Sequence, residues 1–176
     1  MLEFRNIKTN KEEISKIQEL YESSFPKDEQ VPFFHLEDQA YSPISDIFGI
    51  YDNHFIGLLV TVYYEDILFL WYLAINPNLQ NRGYGSLVLK QVQSKYPYHR
   101  IVLNIELVDN DPIKIKRKQF YLKNGFKECG FYTEEYGVLY EMLYYNQPIT
   151  YQEYEKMMRN YCGDEVFDRI YKQAYI

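Results

Sequence analysis

Residues 69–86 read FLWYLAINPNLQNRGYGS, and this segment leaves the chain little conformational choice. The apolar run from Phe69 to Ile75 has the length and the aromatic and branched content of a buried strand. Asn76-Pro77-Asn78 ends it, because proline cannot continue a central strand. Gly83 and Gly85 follow, and then Leu87, Val88 and Val92 at helical spacing. The chain therefore passes from strand to helix through a glycine-bearing turn. Such a turn aims several backbone N–H groups at one point, at the positive end of the helix dipole. That makes an anion site, best suited to a phosphate or pyrophosphate. Glycine lacks a Cβ, so the backbone can approach the anion and adopt unusual φ angles. Arg82 can add a charge-assisted contact. Neither common nucleotide fingerprint is present: Gly83-Tyr84-Gly85 could open Gly-x-Gly-x-x-Gly, but Val88 stands where the third glycine belongs. Taken alone, the glycine pair favours a plain helix start with a glycine-rich cap.

At 176 residues the chain suits one domain with a single sizeable core, and a hydrophobic content of 47% can fill it. Its 20 tyrosines and 11 phenylalanines suit packing on strands and amphipathic cover rather than a ligand cage. The net charge of −6, with no basic stretch longer than Lys114-x-Lys116-Arg117-Lys118, argues against a nucleic-acid surface. Cys129 and Cys162 are far apart, and His35, His54 and His99 lack ligand spacing, so neither a disulfide framework nor a metal site is expected. No signal pattern or membrane-length apolar stretch is visible; the expectation is a cytoplasmic protein that does not engage a membrane.

Periodicity and turn residues predict strands over Leu2–Ile7, Ile44–Tyr51, His54–Tyr64, Ile67–Ile75, Arg100–Val108, Phe126–Tyr132 and Val138–Tyr145. Helices are predicted after the overlapping capping boxes of Thr9 to Glu13, over Val31–Gln39, from Gly83 to Lys95, and over Pro112–Lys123 with Asn124-Gly125 as the stop. Beyond Tyr145, Thr150-Tyr151-Gln152-Glu153 opens a helix carrying Tyr154, Met157, Met158 and Tyr161. Asp164 can cap another with Phe167, Ile170, Tyr171 and Ala174 in phase. The tail reads as an αα-hairpin.

Two segments together resemble the GNAT superfamily of acetyl-CoA-dependent N-acetyltransferases. Gln80 to Gly85 matches its Gln/Arg-x-x-Gly-x-Gly/Ala signature after the strand ending Ile75-Asn76-Pro77, and Phe120-Tyr121-Leu122-Lys123-Asn124-Gly125-Phe126 matches a second motif. The resemblance implies an α+β fold, a central mixed β-sheet flanked by helices. Residues 1–145 would form the N-acetyltransferase domain, and residues 146–176 would be a helical hairpin packed on it. It implies acetyl-CoA as cosubstrate, with no metal, in a cleft where the strand ending at Ile75 and the strand starting near Arg100 splay apart. The pantetheine arm would pair with the backbone of Leu73, Ala74 and Ile75. The pyrophosphate would sit on Gln80, Asn81, Arg82, Gly83, Tyr84, Gly85 and Ser86.

The same resemblance makes Tyr121 the general acid for the leaving thiolate, with Glu106 as base or as a handle on the acceptor amine. Glu29, in Phe25-Pro26-Lys27-Asp28-Glu29-Gln30-Val31-Pro32, is a second acceptor-side candidate, although Gln30 stands where some members carry arginine. Lys114 occupies a position where many members have asparagine; Lys114, Lys116 and Arg117 would either reach CoA phosphates or form a solvated helix face. Acidic residues at Glu29, Glu106, Glu134 and Glu135 suggest a cationic primary amine, either a small molecule or a peptide amine. It would attack the thioester directly in a ternary complex. A catalytically silent acyl-CoA-binding module, or a nucleotide-binding domain of another kind, are the other readings. The tail makes a homodimer plausible.

Overall fold

A computed structural model describes residues 1–175. The chain divides into two compact units, the first comprising Met1–Tyr63 with Leu70–Pro97 and the second Tyr64–Phe69 with residues 98–175.

In the first unit β1 (Glu3–Asn6), β2 (Ser45–Asp52) and β3 (His54–Tyr64) form antiparallel neighbours, Glu3 lying opposite Tyr51 and Ser45 opposite Val62. The strand β4 (Ile67–Ile75) gives Leu70–Ile75 to this unit, and the order is β1-β2-β3-β4. Asn53 makes the β2–β3 turn in the left-handed region (φ 59°), as an Asp-Asn hairpin demands. Three helices supply apolar faces: α1 (Ile14–Ser24) buries Ile17, Leu20 and Tyr21, α2 (Phe33–Ala40) buries Phe33, Leu36 and Ala40, and α3 (Tyr84–Lys95) buries Val88, Leu89 and Val92. The core they share includes Ile7, Ile47, Ile50, Leu58 and Val60, all without solvent exposure.

The capping boxes expected at Thr9 to Glu13 do not form. A 3-10 turn, Lys11–Glu13, leads into α1, and neither Asn10 nor Glu13 caps through its side chain. Thr9 Oγ1 and Asn10 Nδ2 donate instead to the carbonyl of Asn6, each at 3.2 Å. For the box that Asn10 would open, the reason lies in Glu13, its required partner. It is drawn inward to accept from the Tyr51 hydroxyl and to pair with Arg5 at 3.5 Å. Arg5 also lies 3.9 Å above the Tyr51 ring, so the buried carboxylate is enclosed by partners.

In the second unit Ile67–Phe69 of β4 run parallel to Arg100–Val102 of β5 (Arg100–Glu106). Two antiparallel partners follow, β7 (Val138–Tyr145) on β5 and β6 (Lys127–Glu135) on β7, so the sheet is mixed. Arg100 fixes the parallel start. Its guanidinium bonds both oxygens of Asp66, at 2.8 and 2.6 Å, and reaches Glu153 at 2.6 Å. The helix α4 (Pro112–Lys123) ends at Asn124, with Gly125 at φ 88°. The strand β5 stops at Glu106, short of the expected Val108, and β6 runs three residues beyond Tyr132.

The tail departs from the expected hairpin. The first helix is as read: α5 (Tyr151–Cys162) opens with the Thr150–Glu153 capping box and buries Tyr154, Met157, Met158 and Tyr161. The second, α6 (Asp164–Ile170), ends early, and Tyr171–Ala174 form β8, antiparallel to β6 with Tyr171 opposite Glu135. Of α6 only Phe167 is buried, so a longer helix would add little apolar contact, whereas the β6 edge supplies backbone hydrogen bonds. Asp164 does not cap; it pairs with Arg159 at 3.2 Å.

Two substitutions test these features. A Cβ on Gly57 of β3 would stand 2.4 Å from the Ala74 carbonyl oxygen, which is backbone and cannot rotate away. Gly57→Ala should destabilise the chain by about 1–3 kcal/mol, a fall in unfolding midpoint of roughly 2–4 °C per kcal/mol. Thr150→Ala should cost about 1 kcal/mol through the lost cap, and urea unfolding would measure it as a lower midpoint at unchanged slope.

Candidate active site

The strand-to-helix turn is built from its own side chains. Asn76 accepts from the backbone N–H of Asn78 at 3.1 Å, opening a 3-10 turn over Pro77–Leu79. Gln80 then reaches back, its amide donating to the Ile75 carbonyl at 3.0 Å. Asn81 (φ 61°) and Gly83 (φ 85°) take the left-handed conformation on either side of Arg82. Alternating the hand in this way curls successive N–H groups toward one side, the geometry of an anion nest. Gly83 is there for its φ, since a Cβ would meet nothing within 4 Å.

No side chain caps α3 at Gly83, and the first intrahelical bond runs from Leu87 N–H to the Gly83 carbonyl. The N–H groups of Tyr84, Gly85 and Ser86 are the helix's opening donors. Gln80 to Gly83 are exposed. The Tyr84 hydroxyl donates to Asp52 at 3.1 Å, and that bond raises its phenol above the ordinary value. The turn is thereby tied to the β2–β3 hairpin. N–H donors without a side-chain cap at a helix N-terminus, a glycine with nothing crowding it and Arg82 together fit a pyrophosphate.

Elsewhere in this unit, Tyr72 of β4 donates to the Glu29 carbonyl at 2.8 Å, holding the loop that carries Glu29. Gln30 braces that loop: its amide donates to the carbonyls of Phe25 at 2.6 Å and Glu22 at 3.0 Å. Two open grooves flank this region. One, of about 250 Å³, is lined by Lys16, Glu19, Leu20, Ser23, Phe55, Asn76 and Pro77, and the other, of about 400 Å³, by Glu22, Lys27, Gln30 and Pro32.

The second unit holds Tyr121 and Glu106. The Tyr121 ring stands edge-on to Phe120 at 5.1 Å and to Phe126 at 5.8 Å. Burial pushes its phenol up to about 12, so it keeps its proton and can act as a donor. Glu106 is not an unattached carboxylate. Arg117 bonds one oxygen, and Lys114 lies 3.7 Å from the other while also pairing with Asp109 at 3.0 Å. Lys114 and Arg117 thus have carboxylate partners within the unit, where the sequence allowed phosphate contacts or a solvated face.

The acidic face expected for a cationic acceptor is largely consumed in the same way. Glu134 pairs with Lys172 at 2.7 Å. Glu135 is buried, accepting from Asn104 at 2.8 Å and from the Tyr154 hydroxyl at 2.7 Å. Charge already neutralised by neighbours contributes little to a field that selects cations. Glu141 was not singled out from the sequence. Its one signal is a charged residue in the otherwise apolar and aromatic Val138–Tyr145 strand, and it meets Lys118 at 2.8 Å.

The arrangement has relatives. Residues 43–128 match the family model of an acetyltransferase (GNAT) domain, a span that includes both motif segments. No curated protein sequence matches the chain. Among solved structures, a protein assigned to the GNAT family from Bacteroides thetaiotaomicron aligns with TM-score 0.77 at 22% identity, over 90% of this chain and 94% of that one. The spermidine/spermine N-acetyltransferase SpeG of Vibrio cholerae aligns with TM-score 0.61 at 20% identity, over 81% and 92%. An Escherichia coli N-acetyltransferase for a ribosomal-protein alanine gives TM-score 0.65 at 13% identity, over 85% and 96%. At such identities these structures speak for the fold. With the two motifs they agree with the domain match: residues 43–128 match a GNAT acetyltransferase domain, and the chain shares the fold of solved GNAT acetyltransferases.

Proposed function

We propose that this chain transfers the acetyl group of acetyl-CoA to a primary amine, by direct attack within a ternary complex. The observation that carries this reading is the turn from Gln80 to Ser86. Asn81 and Gly83 are left-handed around Arg82, and α3 opens without a side-chain cap. The pyrophosphate would be held by the N–H groups of Tyr84, Gly85 and Ser86 with Arg82 beside it. The pantetheine would extend along the backbone of Leu73, Ala74 and Ile75 as an added strand.

Amine acetylation needs a neutral amine, a polarised carbonyl and a proton for the departing thiolate. The backbone N–H of Ile75 is the proposed polarising group and Tyr121 the proposed proton donor. Glu106 fits an anchor for α4 better than a base, because Arg117 and Lys114 already engage its oxygens. Among the acceptor-side carboxylates this leaves Glu29, or solvent, to receive the amine proton. The structural relatives named for spermidine and for a ribosomal-protein alanine give the acceptor classes to try first: a polyamine and a peptide amine.

Thermal unfolding tests the cosubstrate. Acetyl-CoA or CoA at a hundredfold excess over Kd should stabilise by about 2.7 kcal/mol, a rise of roughly 5–10 °C at this chain length. Equal shifts with NAD or ATP, or none with CoA species, would overturn the reading. Release of CoA thiol with spermidine, a peptide bearing a free N-terminus, and lysine tests the reaction. In that assay Tyr121→Phe should lower kcat by about 10²-fold, leaving the shift with acetyl-CoA intact. With the phenol at about 12, the wild-type rate should rise with pH as the amine loses its proton. Titration of Tyr121 should produce no falling limb in the neutral to mildly alkaline range.

A further inference from the structure

The helix α4 lacks what normally fixes a helix to a sheet. None of its twelve residues is buried as a whole; Tyr121, whose hydroxyl is desolvated, is half-buried. Ile113 and Leu122 are 67% and 42% exposed, whereas α5 in the same unit buries four side chains. Apolar burial is the usual source of helix docking, and here it supplies little.

Charge takes its place. Lys114, Arg117, Lys118 and Tyr121 follow one another at spacings of three, one and three, so they share one side of the helix. Arg117 and Lys114 hold Glu106 of β5. Lys118 goes deeper: its ammonium lies 2.8 and 3.0 Å from the two oxygens of Glu141 on β7, and 2.5 Å from Glu128 on β6. The Glu141 side chain is only 6% exposed, so removing its cation would leave a buried charge uncompensated. Desolvation works to lower the Lys118 pKa, but the bonds from Glu128 and Glu141 outweigh it and the net shift is upward, so the ammonium persists at neutral pH. One helical turn after Lys118 comes Tyr121, and its ring rests on Phe126, the residue before β6.

We propose that Lys118, clamped between Glu141 and Glu128, is a positioning residue for Tyr121: an ion-pair latch, rather than apolar packing, sets where the phenol stands. The catalytic part of this inference rests on Tyr121 being the proton donor. The positional part does not.

Two readouts separate the parts. With tyrosine labelled by carbon-13 and the Tyr121 signal assigned through Tyr121→Phe, Lys118→Met should move that signal toward the position of an exposed tyrosine. It should also speed hydrogen exchange in α4 by about tenfold, with α5 unchanged. Lys118→Arg should restore both, since it keeps the charge and the reach. Should Lys118→Met fail to fold because Glu141 is stranded, the paired change Lys118→Met with Glu141→Leu removes the latch without a buried orphan charge, and the same shifts are expected. An unmoved Tyr121 signal with unchanged α4 exchange in the folded variant overturns the latch.

In the thiol-release assay Lys118→Met should cost about tenfold in kcat with KM for acetyl-CoA nearly constant, and nothing further on a Tyr121→Phe background. If Tyr121→Phe lowers kcat while Lys118→Met does not, the latch has no catalytic role. If Tyr121→Phe itself leaves kcat unchanged, the proton-donor reading fails, and the spectroscopic result still decides the latch.

Discussion

Arg100 secures the junction on which the second unit depends. A parallel pair of strands has no hairpin to set its register, and this one is three residues long, Ile67–Phe69 beside Arg100–Val102. The register is set instead by a fork. The Arg100 guanidinium takes both oxygens of Asp66, the residue before β4, and the Arg100 N–H donates to the Asp66 carbonyl at 2.9 Å. The remaining arm reaches Glu153, whose other oxygen closes the capping box of α5. One planar cation thus ties the starts of two strands and a helix. Bidentate geometry is what raises such a half-exposed pair above the small worth of an ordinary surface bridge.

Two helix ends show how the fold spends its polar groups. At the start of α3 the backbone donors receive no side-chain cap, and the chain keeps them accessible through left-handed residues at Asn81 and Gly83. In α4 the side chains are instead saturated: Lys114, Arg117 and Lys118 all find carboxylates. The first arrangement suits reception of an anion and the second suits holding a phenol. The contrast also shows how α4 can carry exposed Ile113 and Leu122, since ion pairs from Lys114, Arg117 and Lys118 tie it to the sheet.

Much of the fold was legible because its signals are local. The β4–turn–α3 segment was readable from Asn-Pro-Asn and the glycine spacing, and α5 from Thr150 and Glu153, because proline, glycine and capping residues act within one turn of backbone. The same locality explains the failures. Thr9 to Glu13 satisfied the capping pattern, but Arg5 of β1 and Tyr51 of β2 compete for Glu13, and a buried carboxylate with two partners outweighs an exposed cap. Tyr171 and Ala174 are in helical phase with Phe167, yet the free edge of β6 draws them into a strand.

The candidate site divides along the same line. By itself the sequence determined the turn from Gln80 to Ser86, the Tyr121 motif and the order of strands and helices as far as α6, since each is written in neighbouring residues. Only the tertiary structure decided what the charged side chains do. Glu106 is engaged by Arg117, Glu134 by Lys172, Glu135 by Asn104 and Tyr154, and Glu141 by Lys118. These partners lie 11 to 38 positions apart in the chain, as far as the span from Glu134 to Lys172. An ion pair depends on distance in space rather than along the chain, so no local pattern could show which carboxylates remain available to a substrate.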